Sequence, residues 1–183
     1  MTLETRVGLP DALRVLARDY PRDIWESHRN FDALTRFWLD RHLGFRADLA
    51  EIERAAQGFL GGAIDTPAYA QHSRRLIGGL LNGLHGHHQV EDQHYFPLLA
   101  GLDARLEAGF TLLDADHQAL DGHIHGLAEA TNAMLRALQA GADRVAVGRV
   151  HDRVQGFARF IDRHLVDEEE LVIPTILHYA PDL

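Results

Sequence analysis

Cysteine is absent from this 183-residue chain. That excludes disulfides and thiolate chemistry, so any metal held here must be bound through nitrogen and oxygen. There is no apolar run approaching ~18 residues and no basic segment leading into an apolar one at the start. These absences argue against a membrane span and a signal peptide, and they leave the cytoplasm as the default location. Positive charge is in deficit, with Lys and Arg at 18 against 27 Asp and Glu, a net charge of -9. Such a balance argues against nucleic acid or an anionic membrane as partner. What remains is a chain 46% hydrophobic and 25% charged, the composition of one soluble globular domain. Its unusual feature is 13 histidines.

Four long stretches place apolar residues at helical spacing, and none shows strand alternation. The first runs from about Arg22 to Gln57, with Phe31, Leu34, Trp38, Phe45, Leu49 and Ile52 on one stripe, and stops at Gly58 and Gly61–Gly62. The second starts near Thr66, an N-cap candidate followed by Pro67. It carries Leu76, Leu80, Leu84 and Leu98 and closes around Pro97–Gly101. Gly78–Gly79 lies within it and suggests a kink or a close helix contact. The third runs from about Asp103 to Ala140, with Leu106, Phe110, Leu113, Leu120, Ile124 and Leu127. The fourth runs from about Asp143 to His178, with Phe157, Phe160, Ile161, Leu165 and Leu171. Short connections then imply an all-α, antiparallel up-down-up-down four-helix bundle over residues 22–180. Residues 1–21 read as an N-terminal extension whose first nine or so residues are loose.

Six ionisable residues interrupt the apolar stripes. They are His42 on the first helix, His87 and Glu91 on the second, His117 on the third, and His164 and Glu168 on the fourth. A buried carboxylate without a partner costs several kcal/mol, and two divalent cations would resolve all six groups at once. Heights along the bundle agree. His42 lies about 20 residues before the first turn and His87 about 24 after it, and His117 and His164 flank Gly141 by about 24 and 23. At ~1.5 Å per residue the mismatches stay within roughly 8 Å.

Spacing adds an internal echo. His87-x-x-x-Glu91 and His164-x-x-x-Glu168 each place a histidine and a carboxylate one turn apart on a helix face. A proline follows each glutamate by six residues, at Pro97 and Pro174.

Taken together, His42, the stretch HHQVEDQHYFP from His87 to Pro97, His117, and HLVDEEELVIP from His164 to Pro174 resemble the hemerythrin-like HHE cation-binding domain family. The resemblance covers about Arg22 to Pro174. It implies a four-helix bundle holding two non-haem irons, with His42, His87, His117 and His164 as terminal ligands and Glu91 and Glu168 as bridges. Oxygen-carrying hemerythrins have a second histidine four residues away on helix three, where this chain has Leu113 and Asp121. One nitrogen ligand is then missing, or replaced by Asp121 or water. The last bridge of those carriers is an aspartate five residues after its histidine, whereas Glu168 follows at four. Both differences are closer to bacterial and regulatory HHE proteins than to blood carriers.

The remaining histidines read as peripheral. His28, His72 and His151 lie too far along their helices, and His94 reads as surface. His88 and Asp92 form a second i,i+4 pair rotated off the seam, read as solvated rather than supporting the site. Asp167–Glu170 reads as solvated apart from Glu168.

Nitrogen and carboxylate ligands suit iron, manganese or zinc, and two bridging carboxylates suit a pair of six-coordinate ions better than one closed zinc site. Six such ligands fill about eight of roughly twelve positions, leaving room for an oxo or hydroxo bridge or a small exogenous ligand. The leading expectation is a di-iron protein that binds or senses dioxygen, nitric oxide, peroxide or iron. A di-iron oxidase or peroxidase-like enzyme is the alternative, although no catalytic acid or base stands out. A third reading is a metal-stabilised interaction module without redox chemistry. The sequence names no redox partner.

Overall fold

The computed structural model describes residues 2–3, 5–141 and 144–182. Among the described residues there are five α-helices and no strand. They are α1 (Ala33–Leu60), α2 (Thr66–Val90), α3 (Phe96–Ala100), α4 (Glu107–Gly141) and α5 (Arg144–Tyr179). A π-helical turn, Glu91–Tyr95, carries α2 into α3, and a 3-10 turn, Arg22–Ser27, precedes α1. No described helix is long and apolar enough to cross a membrane.

Local chemistry moves several expected boundaries. The helix expected from Arg22 begins at Ala33, because the chain turns extended at His28 and Asp32 starts a new helix. Asp32 Oδ1 accepts both the Thr35 N–H, at 2.7 Å, and its hydroxyl, at 2.8 Å. Asp65, rather than Thr66, caps α2 by accepting the Ala68 N–H at 2.8 Å. Residues 104–106 form a turn, and α4 starts at Glu107 rather than at Asp103. The expected start at Asp143 lies outside the described residues. Helix α2 runs unbroken through Gly78–Gly79, and a Cβ added at either would meet nothing within 4 Å, so no close helix contact explains the pair.

The distortion falls instead at Glu91–Tyr95. Pro97 has no N–H to donate and would crowd the carbonyl four residues back. The preceding turn widens, with the Phe96 N–H reaching the Glu91 carbonyl. One extra residue per turn shifts the register, so Leu99 is fully buried while Leu98, expected on the stripe, is 40% exposed.

The described chain divides into two compact units. One consists of residues 44–86 and 120–160. Its interior holds Phe45, Leu49 and Ile52 of α1, Ile77, Leu80 and Leu84 of α2, Leu120 and Leu127 of α4, and Val150, Val154 and Phe157 of α5. Phe59 stacks on Tyr69 at 4.7 Å, and the Tyr69 hydroxyl donates to Met134 Sδ at 3.6 Å. Gly62, with φ +81°, makes the turn after α1 in a conformation that glycine adopts without strain.

The other unit is built from residues 1–43, 87–119 and 161–183. Its apolar cluster joins Trp38, Phe96, Leu99, Phe110 and Leu113 to Leu171, Val172, Ile173, Ile176 and Leu177. Residues 171–177 of α5 are buried on every side, six of them apolar and the seventh, Thr175, donating its hydroxyl to the Leu171 carbonyl at 2.7 Å. The N-terminal segment contributes Leu9, Leu16 and Trp25 to this cluster. The expectation that the first residues are loose is therefore corrected. Leu3, Arg6 and Leu9 are buried, because the outer face of α5 needs a cover.

Candidate metal centre

All six residues singled out by spacing lie in this second unit, and it draws them together. His42 comes from α1, His87 from the last turn of α2, Glu91 from the first position of the π turn, His117 from α4, and His164 and Glu168 from α5. His42, Glu91, His117, His164 and Glu168 are 0–2% exposed. His42 Nε2 and His87 Nε2 are 3.0 Å apart, and His117 Nε2 and His164 Nε2 are 3.1 Å apart. Two nitrogens each ~2.1 Å from one ion and at right angles to each other would be separated by about this distance.

The glutamates lie between these two histidine pairs. Glu91 turns Oε1 to His87 Nε2 at 3.0 Å and Oε2 to His117 Nε2 at 3.8 Å. Glu168 turns Oε1 to His42 Nε2 at 3.8 Å and Oε2 to His164 Nε2 at 3.2 Å. Each carboxylate thus faces both pairs, one oxygen to each.

A seventh residue belongs here. His88, expected to be solvated, is 3% exposed and stacks on the His117 ring with centroids 4.1 Å apart. His88, His117 and His164 form one group able to hold a metal ion, and His42, His87, Glu91 and Glu168 form another. The second helix thus offers a nitrogen donor where the third helix lacks its second histidine. Asp121 does not supply it, being an exposed side chain 3.8 Å from His85. The sequence does carry a signal for His88, since Leu81 and Leu84, seven and four residues before it, are both buried.

Carboxylates hold the outer nitrogens of two of these histidines, and a third carboxylate stands near the outer nitrogen of His164. Glu169 Oε1 accepts from His42 Nδ1 at 3.0 Å, and Asp92 Oδ1 accepts from His117 Nδ1 at 2.6 Å. Asp116 Oδ2 stands 3.5 Å from His164 Nδ1. These contacts aim the Nε2 lone pairs of His42 and His117 inward, as in metal sites. The reading of Asp167–Glu170 as a solvated run is corrected in the same way. Asp167 and Glu169 are 0% and 2% exposed, each held by partners on other parts of the chain. On the opposite wall, the Trp38 indole N–H donates to Glu91 Oε1 at 2.8 Å, and its ring lies 4.1 Å from that of His42.

Electrostatics test whether this donor set fits a cation. Burial lowers His87 to about 2, and the neighbouring histidines add to the effect. Burial also pushes His88 and His164 well below the usual histidine value. It raises Glu91 to about 7, and burial with the adjacent Glu91 charge raises Glu168 well above the carboxylate range. Burial thus favours neutral imidazoles at His87, His88 and His164 and makes both carboxyls hold their protons more strongly than free ones do. Among the described residues, both His88 nitrogens, Glu91 Oε2 and both Glu168 oxygens are buried without a hydrogen-bond partner. Each such atom costs ~1–3 kcal/mol, and His88, Glu91 and Glu168 each bring one donor atom to groups whose atoms lie within 4.8 Å of one another. A donor set of this kind fits metal ions, whose binding would ionise the carboxyls and satisfy the nitrogens.

The other histidines lie elsewhere. His72 pairs with Glu51 at 3.1 Å, His178 Nδ1 meets the Tyr20 hydroxyl at 3.0 Å, and His94 is exposed.

Comparison with known families agrees with this geometry. The sequence profile of the Hemerythrin HHE cation binding domain matches residues 33–177. The chain belongs to this family. The all-helical structure is consistent with a hemerythrin-type helical bundle, and the HHE domain takes in every residue of the candidate centre. Neither the curated proteins nor the solved structures yielded a match.

Proposed function

We propose that this HHE domain binds two metal ions, iron in the first instance, and uses the pair to bind or sense dioxygen, nitric oxide, peroxide or iron itself. The observation that carries the reading is the double facing of Glu91 and Glu168, each with one oxygen toward each histidine pair. One position would then be held by His42 and His87, the other by His88, His117 and His164, with the two carboxylates shared. Iron or manganese bound this way supplies Lewis acidity and one-electron chemistry to a small ligand, whereas zinc supplies the first alone.

The chain's own residues do the rest. Glu169 and Asp92 keep the Nδ1 protons of His42 and His117 on the outer side. Glu91 and Glu168 release their protons as the ions enter, which makes loading pH-dependent. Trp38, Phe96 and Leu113 are buried in the unit's apolar cluster and exclude bulk water. The same reading takes the four long helices as the antiparallel up-down-up-down bundle that their spacing suggests.

Metal analysis with absorption spectra of the oxidised and reduced protein tests the proposal. The expected result is two ions per chain and near-ultraviolet charge-transfer bands from the iron-loaded protein. His87→Ala combined with His164→Ala is expected to abolish loading, and full loading of that variant would overturn the assignment.

A further inference from the structure

The N-terminal segment lies outside the family match, which begins at residue 33, yet its arginines reach the carboxylates that back the histidines. The Arg6 side chain is completely buried. Its Nε donates to Asp167 Oδ2 at 2.7 Å, and its two terminal nitrogens donate to the two oxygens of Asp116, one of them at 2.7 Å. Asp116 is the carboxylate beside His164 Nδ1. The Leu9 backbone N–H donates to the other oxygen of Asp167 at 2.7 Å.

Arg22 repeats the pattern on the far histidine pair. It donates to Glu169 Oε2, while Glu169 Oε1 accepts from His42 Nδ1. The Arg22 guanidinium is held in place over the Trp25 ring, 4.6 Å from its centroid. Arg14 adds a third tie, to Glu170 Oε2 at 3.0 Å. Leu9, Leu16 and Trp25 seat the same segment in the apolar cluster. A plain cover over α5 would need only these three apolar residues. It would not need two arginines ending on the carboxylates behind His164 and His42.

We propose that residues 6–25 form a strap whose docking is linked to metal loading, with Arg6 and Arg22 as positioning residues for His164 and His42. The strap acts through the carboxylates. Docked, it fixes Glu169, which holds the His42 imidazole by a hydrogen bond, and Asp116, the carboxylate placed 3.5 Å from His164 Nδ1, before a metal arrives. Linkage makes this reciprocal, so a loaded centre holds the strap down by the same factor that the strap improves loading. Loss of metal loosens the segment and uncovers the apolar face of α5, which gives the centre an outward signal. The proposal rests on the two-metal reading above.

The test is anaerobic titration with iron(II) against a competing chelator, for the wild-type chain and for Arg6→Gln, Arg22→Gln and Arg22→Lys. Amide hydrogen exchange over residues 6–25 is followed with and without iron. Arg6→Gln and Arg22→Gln are expected to weaken iron binding ~10–100-fold, with Arg22→Lys recovering part of the loss. Exchange in the strap is expected to be faster in the metal-free wild type than in the loaded protein. Should the buried Arg6 variant fail to fold, the half-exposed Arg22 pair carries the test. Wild-type affinity in the Arg22→Gln variant, or equal strap exchange in the two states, would overturn the strap while leaving two-metal binding intact. A wild-type chain that takes up no iron would overturn both.

Discussion

His88 occupies an unfavourable place for a lone imidazole. It is buried, stacked on another histidine, and has neither nitrogen hydrogen-bonded among the described residues. If it is a ligand, His88→Ala should lower metal content and weaken the position shared with His117 and His164, while Asp121→Ala should load like wild type. Iron per chain, measured on both variants, checks this. The six spaced residues were legible because an i,i+4 pair faces one way on any helix. His88 follows Leu81 and Leu84 at the same helical spacing, but one step further round from His87 it reads as turned away until a third helix is known to stand there. The pKa shifts of the metal-free site set a pH profile. His87, His88 and His164 hold fewer protons folded than unfolded, so their burial costs stability below 6.5 and the cost fades as pH rises to that value. Glu91 and Glu168 hold more protons folded than unfolded, so stability falls as pH rises from 4.5 through about 7. Three nitrogens outweigh two carboxyls up to 6.5, and above it only the carboxyls still titrate. The metal-free protein should therefore be most stable near pH 6.5, and loading should remove the decline above it. Thermal melts over a pH series, in chelator and in metal, measure both curves.

At the scale of elements, the helices themselves were readable from the 3.6-residue stripe, and their misplaced ends trace to side-chain caps. Asp32 and Asp65 sit where the periodic pattern is blind, since a capping aspartate is polar whether or not the stripe has begun. The π turn was hidden for a different reason. Pro97 marks a disturbance in a helix, but not which register the chain adopts after it. The two echoed motifs show this directly, because Pro174 lies within continuous α5 while Pro97 follows the widened turn. Leu98 and Leu99 separate the alternatives experimentally. Leu99→Ala should cost ~2–5 kcal/mol in urea unfolding, as for a fully buried leucine. Leu98→Ala should stay within ~0.5 kcal/mol. An unbroken α-helix from Thr66 would give the reverse order.

For the whole molecule, the part not legible was the role of the N-terminal segment. Asp167 and Glu169, on either side of Glu168, read as solvated, because acids in a consecutive run almost always are. Asp167 is held by Arg6 and Glu169 by His42 and Arg22, while Glu168 between them faces the two histidine pairs. Those partners lie up to 161 residues away in the chain, and no local pattern reveals them. Both tryptophans, Trp25 and Trp38, fall in the unit that holds the centre. Metal loading should thus quench the intrinsic fluorescence, and Trp38→Phe should remove most of the response, as a titration at constant protein concentration would show.

The same long-range ties bear on the order of events as the chain folds. Arg6 cannot reach Asp167 until the final helix exists, so the unit made from both chain ends and the middle closes last, after helices assembled from nearer neighbours. In stopped-flow refolding, far-ultraviolet helicity should return before tryptophan fluorescence. A nascent chain leaving the ribosome would complete the donor set only after His164 and Glu168 have emerged.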